Sequence, residues 1–491
     1  MSTKTTNYAF LKPDLDDEIS PEQYNSNFDR LDSRLKSMDD ALKTVSDKAT
    51  EQGAKLKEHD TALSSAQTEL SVHDTAITNA NAKLSEHDAK LSEQDTAISE
   101  LNKKIESSGG GGVSGSIAAA AEVMNILTAS TFGVMWDTTD SSTALTRLTE
   151  DSDPYKLVTE NVDTEPVPAA GTSAGSSPFD KFAPWSGMKE CNLNADGSVK
   201  AWKGGSGFSR SAAYTMVYVP AFWFAVKENE GKKFFYVSDA PQNGMTKHPG
   251  SGRYVGKYFM DTDTAGSASG VEISYGSVDT IHSNAKKVGA KWHSYDFAAH
   301  CALIFLYLVE YADWNCQAKI GAVSAETTNF STGITDVMQY HTGTAAGSAG
   351  GDAIAQYRGI ENLWGGKAQF TDGINIQKRK IYYCADSDKY EIGTKDGYIE
   401  LGELPDVFQV LIKDVQITEN GLIIPKAVGQ TRFESQDKFT AGYIDAHIDD
   451  QYAEEWCGLA MGVYSSIMGF DAANIVGHSS SGFAGRLICE P

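Results

Sequence analysis

The chain has 491 residues, 66 acidic against 42 basic, giving a formal net charge of −24. That length exceeds what one core usually organises, and the acidic balance leaves no cationic surplus to displace counterions from duplex nucleic acid, so no nucleic-acid partner is expected. No apolar run reaches the roughly 18 residues of a membrane span, and MSTKTTNYAFLKPD has no hydrophobic signal core, so neither membrane insertion nor signal-directed secretion is expected.

Residues 1–23 carry short strand and turn signals at Asn7-Tyr8 and Lys12-Pro13. Ser20-Pro21-Glu22 then reads as a helix start, with proline in the first turn. From Phe28 every seventh residue is apolar as far as Ile105, among them Leu35, Leu42, Leu56, Leu63 and Leu70. A second seam three residues on begins with Leu31, Met38 and Val45 and then turns polar at Gln52, His59, His73 and His87. A strict heptad predicts a left-handed, parallel coiled coil over 24–106, on the order of 120 Å long. Such a stripe needs partner helices, so an oligomer is expected. The layers at His59, His73 and His87 admit two readings: a bound ion between the imidazoles, or rings tilted outward to bond Asp60, Asp74 and Asp88. No other cofactor is expected. Residues 107–116, with four consecutive glycines, read as a hinge; no Lys-Ser/Thr follows, which excludes a phosphate loop.

The first 35 residues, through Asn7, Tyr8, Lys12, Pro13, Asn25, Asn27, Phe28, Leu31, Asp32 and Leu35, resemble the opening of tail-fibre and baseplate-attached proteins of phages that infect Gram-positive bacteria. The resemblance implies that this end docks onto a phage tail or baseplate, that the rod is a homotrimer, and that the protein belongs to a virion or an extracellular phage tail-like particle.

Residues 117–180 read as a connector: an Ala-rich helical stretch, a strand near Trp136, and a Pro/Gly/Ser/Thr-rich loop over 150–178. In 181–491, MVYVPAFWFAV and KKFFYVS flank a turn at Glu228–Gly231 and predict a β-hairpin. Ser294–Asn315 has helical spacing with Ser294 as the N-cap. KIYYC, VLI, GLIIP and FAGRLICEP read as strands.

The order of Trp136-Asp137, Pro184–Met188, Glu310, Gln317 with Ile320-Gly321, Tyr357–Asn362, Trp364-Gly365, Asp372-Gly373 and Gly485-Arg486-Leu487 resembles phage receptor-binding heads with a C-type-lectin-like fold. FAGRL departs from the FR-hydrophobic ending common in such proteins. The resemblance implies an α+β molecule, a long coiled coil followed by a lectin-like mixed head. It also places the ligand face near the C-terminus, where Tyr464, Asn474, His478, Ser479, Ser480 and Ser481 sit on Gly-rich loops suited to sugar hydroxyls. Ordinary turn residues between core strands are the plainer reading of the same six.

The six cysteines show no zinc spacing. Without a signal core, buried thiols are favoured; disulfides are the alternative, with Cys457 and Cys489 the pair to check first. Asp261, Asp263 and Glu272 fall at positions 1, 3 and 12 of a calcium loop, but Ala265 occupies position 5. GHSSSG is not a nucleophile elbow. The function that the two resemblances imply is adhesion, not catalysis: multivalent attachment to a bacterial surface glycan or protein. A fibre-borne polysaccharide depolymerase and a purely structural spacer are the competing readings.

Overall fold

The structure is a computed structural model that describes residues 3–4, 11–12, 20–22, 25–57, 59–61, 63–64, 129–149, 155, 157–158, 162–261, 263–273, 276–321, 331–346, 353–463 and 466–491. The chain divides into two compact units, Met1–Val113 and Ser114–Pro491.

In the first unit, Thr3–Lys4 and Leu11–Lys12 pair antiparallel, with Thr3 opposite Lys12. Helix α1, Asn25–61, follows. Its heptad positions stand open: Phe28, Leu35, Leu42 and Leu56 are all more than half exposed. The expected long coiled coil is thus corrected to a short helix. A seven-residue repeat specifies which face of a helix is apolar; it does not specify how far the helix is held, and the second seam is already polar at Gln52 and His59. His59 is exposed on α1, whereas His73 and His87 lie outside the described residues.

The second unit corrects the other half of the expected fold. Strand accounts for 35% of the structure against 23% helix, and the architecture is a curled β half-barrel instead of an α+β lectin-like head. The residues that carried the resemblance are largely interior: Trp136, Trp185, Trp364 and Arg486 are fully buried. Such residues specify a dry core, which many strand orders can provide, and so they do not select one topology.

The largest sheet holds the candidate site. Its strands are β1 (Ala368–Gln377), β2 (Lys380–Tyr383), β3 (Ile399–Glu403), β4 (Val410–Ile417), β5 (Ile423–Arg432), β6 (Tyr443–Asp445), β7 (Trp456–Met461) and β8 (Phe470–Ile475). They lie in the order β3-β2-β1-β7-β8-β6-β4-β5, and Phe483–Ala484 adds a short parallel partner to β1. All main-path neighbours are antiparallel except β6 and β8. A register shift in β1 between Thr371 and Ile376 accommodates Gly373 at φ 72°, where a Cβ would meet the Tyr390 ring at 2.8 Å.

The predicted hairpin forms between Trp223–Asn229 and Lys232–Ser238, closed by Glu230 and Gly231 at positive φ. The predicted helix is α3, Phe297–Tyr311, after a shorter α2, Val278–Lys286. Every residue of α3 is buried, and it contacts both the hairpin strand Lys232–Ser238 and β1. Its N-cap is Asp296, which accepts a hydrogen bond from the Ala299 amide at 2.6 Å. Ser294 instead ends a strand and donates to Asp372 at 2.8 Å. All six cysteines are buried free thiols, which removes the Cys457–Cys489 alternative. No helix among the described residues is long and apolar enough to cross a membrane.

Candidate functional site

Beside β6 and β8 the second unit opens into a cleft of about 1070 Å³. Its floor follows from strand register. Tyr443-Ile444-Asp445 and Phe470-Asp471 run parallel with Asp445 opposite Asp471, so both carboxylates project to the same face. Asp445 is 5% and Asp471 8% exposed, and both line the cleft. The Ala473 amide (3.1 Å) and Asn474 Nδ2 (2.8 Å) both donate to Oδ1 of Asp471. Burial pushes the Asp471 carboxyl up to about 7, with the charge of Asp445 adding to the rise and those two donors opposing it.

One wall is the segment Asp406–Gln409, which leads into β4. Gln409 takes positive φ (54°), as does Phe433 (56°) just beyond β5. Between them the Arg432 guanidinium stacks 3.9 Å from the Phe408 ring centroid and 4.6 Å from that of Phe433, while donating to Gln409 Oε1 at 2.6 Å. This clamp holds Phe408 at the rim, 43% exposed. Asp406 is engaged by His447 Nδ1 at 2.9 Å and lies 3.7 Å from Arg379; the bond His447 donates to Asp406 raises the His447 pKa above its ordinary value. Tyr452, 40% exposed, offers a second aromatic face.

The opposite wall comes from the C-terminal loops. Lys367 donates to the Ser481 carbonyl, and burial lowers its pKa. Ser480 Oγ accepts from the Gly482 amide at 3.2 Å, and the His478 ring meets Phe483 edge-on. Where two loops meet, Gly462 sits at φ 73°, and a Cβ there would come within 2.4 Å of the Leu363 carbonyl oxygen. Only glycine allows this approach.

Of the six residues expected from sequence, Asn474, His478, Ser480 and Ser481 line this cleft together. Ser479 is exposed and not among the lining residues, and Tyr464 lies outside the described residues. Sequence reasoning missed Asp445, Asp471, Asp406, His447, Phe408 and Tyr452. A signal was present for the first two, since each is a lone acid inside an apolar strand run, Tyr-Ile-Asp-Ala and Phe-Asp-Ala-Ala. Trp456 stands away from the cleft, edge-on to Tyr382.

Of the calcium-loop residues, the Asp261 carboxylate is used locally, accepting from the Asp263 amide and from Thr264 Oγ1, while the Glu272 backbone pairs with Ser331. Among the described residues no group of three His, Cys, Asp or Glu side chains is placed to hold a metal ion.

The cleft therefore combines hydrogen-bonding carboxylates, an amide, hydroxyls and two rim aromatics, in a volume that admits an oligosaccharide-sized ligand. No family model matches the chain, and no curated protein matches it by sequence.

Proposed function

We propose that this chain is a receptor-binding protein of a phage tail or a phage-derived contractile particle, attached through its N-terminal segment and binding a bacterial surface glycan in the cleft of its second unit. One observation carries the reading: a large open cleft whose floor and loops offer polar groups for sugar hydroxyls, with Phe408 and Tyr452 exposed on its walls for the apolar faces of sugar rings. The open apolar stripe of α1 supports self-association, and a homotrimer would multiply weak single-site affinities.

The test is binding of the fluorescent full-length chain to a panel of bacterial strains, before and after mild periodate oxidation of the cells. Strain-selective binding that periodate abolishes is expected, and Phe408→Ala with Tyr452→Ala should weaken it about tenfold or more. Binding to no strain by a folded chain would overturn the reading.

The Asp445–Asp471 pair favours one second reading, cleavage of the polysaccharide, because a carboxyl that is protonated near neutral pH beside a carboxylate is an acid–base arrangement. Release of reducing ends from purified host polysaccharide, lost in Asp471→Asn, would establish it.

A further inference from the structure

We infer that one face of a six-stranded sheet in the second unit is a further glycan-contact surface, which selects acidic pyranoses through Trp202, Tyr218, Tyr254, Lys189 and Lys200. The inference rests on the reading of the protein as a glycan binder, uses no residue of the cleft, and adds the chemical class of the sugar.

The strands of this sheet lie in the order Trp292–Ser294, Leu487–Cys489, Arg253–Gly256, Thr215–Val219, Lys189–Leu193 and Val199–Trp202. Register sets the face. Cys191 lies opposite both Trp202 and Met216, Lys189 opposite Tyr218, and Tyr218 opposite Tyr254. Residues directly opposite, or two apart along a strand, share a face, so Trp202, Lys189, Tyr218 and Tyr254 stand together. On the same face Cys191, Met216 and Cys489 are buried in one apolar cluster with Val278 and Ile281 of α2. That cover does not extend over the aromatic strip: Trp202 is 41% exposed, and Tyr218 and Tyr254 are half-buried. The Trp202 ring meets Tyr218 edge-on at 6.4 Å, and Tyr218 meets Tyr254 at 5.1 Å. Lys189 stands on the strand between those of Trp202 and Tyr218.

Charge gives the ligand its sign. Lys203, next to Trp202, is tied to Glu190 at 2.8 Å. Lys189 and Lys200 are exposed, and among the described residues neither ammonium has an ion-pair or hydrogen-bond partner. The acid of the intervening turn, Asp196, accepts from the Ser198 amide and hydroxyl. Two open cations beside an exposed tryptophan, in a chain of net charge −24, complement an anion. The rings then choose among anions. They pack against the C–H faces of a pyranose, which a polyol phosphate lacks. A hexuronic acid carries its carboxylate at the ring edge, so one sugar can meet a ring and an ammonium together. A second copy of this chain fits less well: Trp202 offers on the order of 100 Å², against roughly 800 Å² per partner in a stable interface. The cleft is lined by Asp406, Asp445, Asp449 and Asp471 and disfavours acidic sugars, so the two surfaces take different residues of a heteropolymer.

The test uses the full chain and immobilised wall polysaccharide from a strain that it binds, native and after carbodiimide–borohydride reduction. Reduction converts carboxylates to neutral alcohols and leaves sugar rings and phosphates in place. It should weaken binding about three- to tenfold at low salt, the range of exposed charge contacts. Lys189→Ala with Lys200→Ala should bring native and reduced polymer to similar affinity, and Trp202→Ala should weaken binding of both. Because the reduction comparison uses the unaltered chain, it decides the matter even where a variant does not fold. Unchanged binding after reduction, or a bound polymer without uronic acid, overturns the acidic-sugar inference and leaves the glycan reading standing, which periodate and the Phe408 and Tyr452 variants test separately. A loss on reduction that persists in the lysine variant also overturns it, by placing the contact elsewhere. Tighter binding of single-stranded oligothymidylate, lost in Trp202→Ala, overturns it in favour of a nucleic acid. A lower oligomer mass in Trp202→Ala overturns it in favour of a contact between copies. Binding to no wall polysaccharide overturns the glycan reading and the inference with it.

Discussion

Three buried acidic sites in the second unit differ in one respect. Glu310, on fully buried α3, accepts hydrogen bonds from Arg358, Tyr357 (2.9 Å) and Ser177 (2.8 Å). Glu190 is similar: burial works against its charge, but Lys257, Arg210 and Lys203 hold its carboxyl down at about 2. Asp471 is buried to a comparable degree with no cation beside it among the described residues, and its carboxyl rises to about 7. The first two sites are closed ion networks that organise the interior. The third faces an open cleft with its charge uncompensated, which is the condition of a site completed by something else.

The comparison can be broken most forcefully at the closed site. Arg358→Ala leaves Glu310 buried without its cation and should destabilise the fold by about 3–5 kcal/mol, read as a lower denaturant midpoint with an unchanged slope. A change below 1 kcal/mol would show that the network is not what organises this region.

At the open site the same kind of change should stabilise. Asn in place of Asp471 keeps an acceptor for the Ala473 amide and removes the buried charge. Burial raises the folded pKa of Asp471 above its unfolded value. The folded state therefore binds the proton more tightly, and the cost of the charge appears as pH rises through the carboxylate range toward about 7. Asp471→Asn should thus raise stability at pH 8 by about 2–4 kcal/mol, with the gain vanishing by about pH 4. A loss of stability at pH 8 would mean that the carboxylate is satisfied within the chain.

Binding should follow the same titration: affinity for the wall glycan should change several-fold between pH 8 and pH 6 as Asp471 takes up its proton. The other titratable groups facing the cleft are Asp406, Asp445, Asp449, His447, His478, Lys367 and Tyr452. Asp471→Asn should flatten the profile if Asp471 sets it; an unchanged slope would assign it to another group, His447 first. The smallest effect is expected at Ser479→Ala: Ser479 is exposed and outside the lining, so affinity should change less than twofold. A larger loss would extend the binding surface beyond the cleft.

Much of this region was legible in the chain itself. The hairpin at Glu228–Gly231, the buried helix after Asp296 and the strands around KIYYC, VLI and GLIIP follow from apolar runs and turn residues. Four of the six proposed ligand-face residues meet in one cleft, because Gly-rich loops between strands of one sheet emerge at its end. The lectin-like topology was not legible. Its carrying residues, Trp136, Trp185, Trp364 and Arg486, are buried, and Arg486 donates to the carbonyls of Gly256, Lys257, Glu361 and Asn362. These are contacts that any fold with a comparable interior can use.

What the sequence by itself determined is local. Seven-residue spacing set the apolar face of α1, apolar runs set the strands, and turn residues such as those at Glu228–Gly231 set the hairpin, because each depends on neighbours a few residues apart. The strand order and the cleft were decided only by tertiary structure. Asp445 and Asp471 stand 26 positions apart in the chain and become register partners through the one parallel pairing on the main path of the sheet. Whether a buried acid is quenched or left open depends on which cations the fold brings to it. Glu310 has Arg358 at hand, 48 positions along the chain, and Asp471 has no cation among the described residues. That difference resides in distances through space, which residue spacing along the chain does not encode.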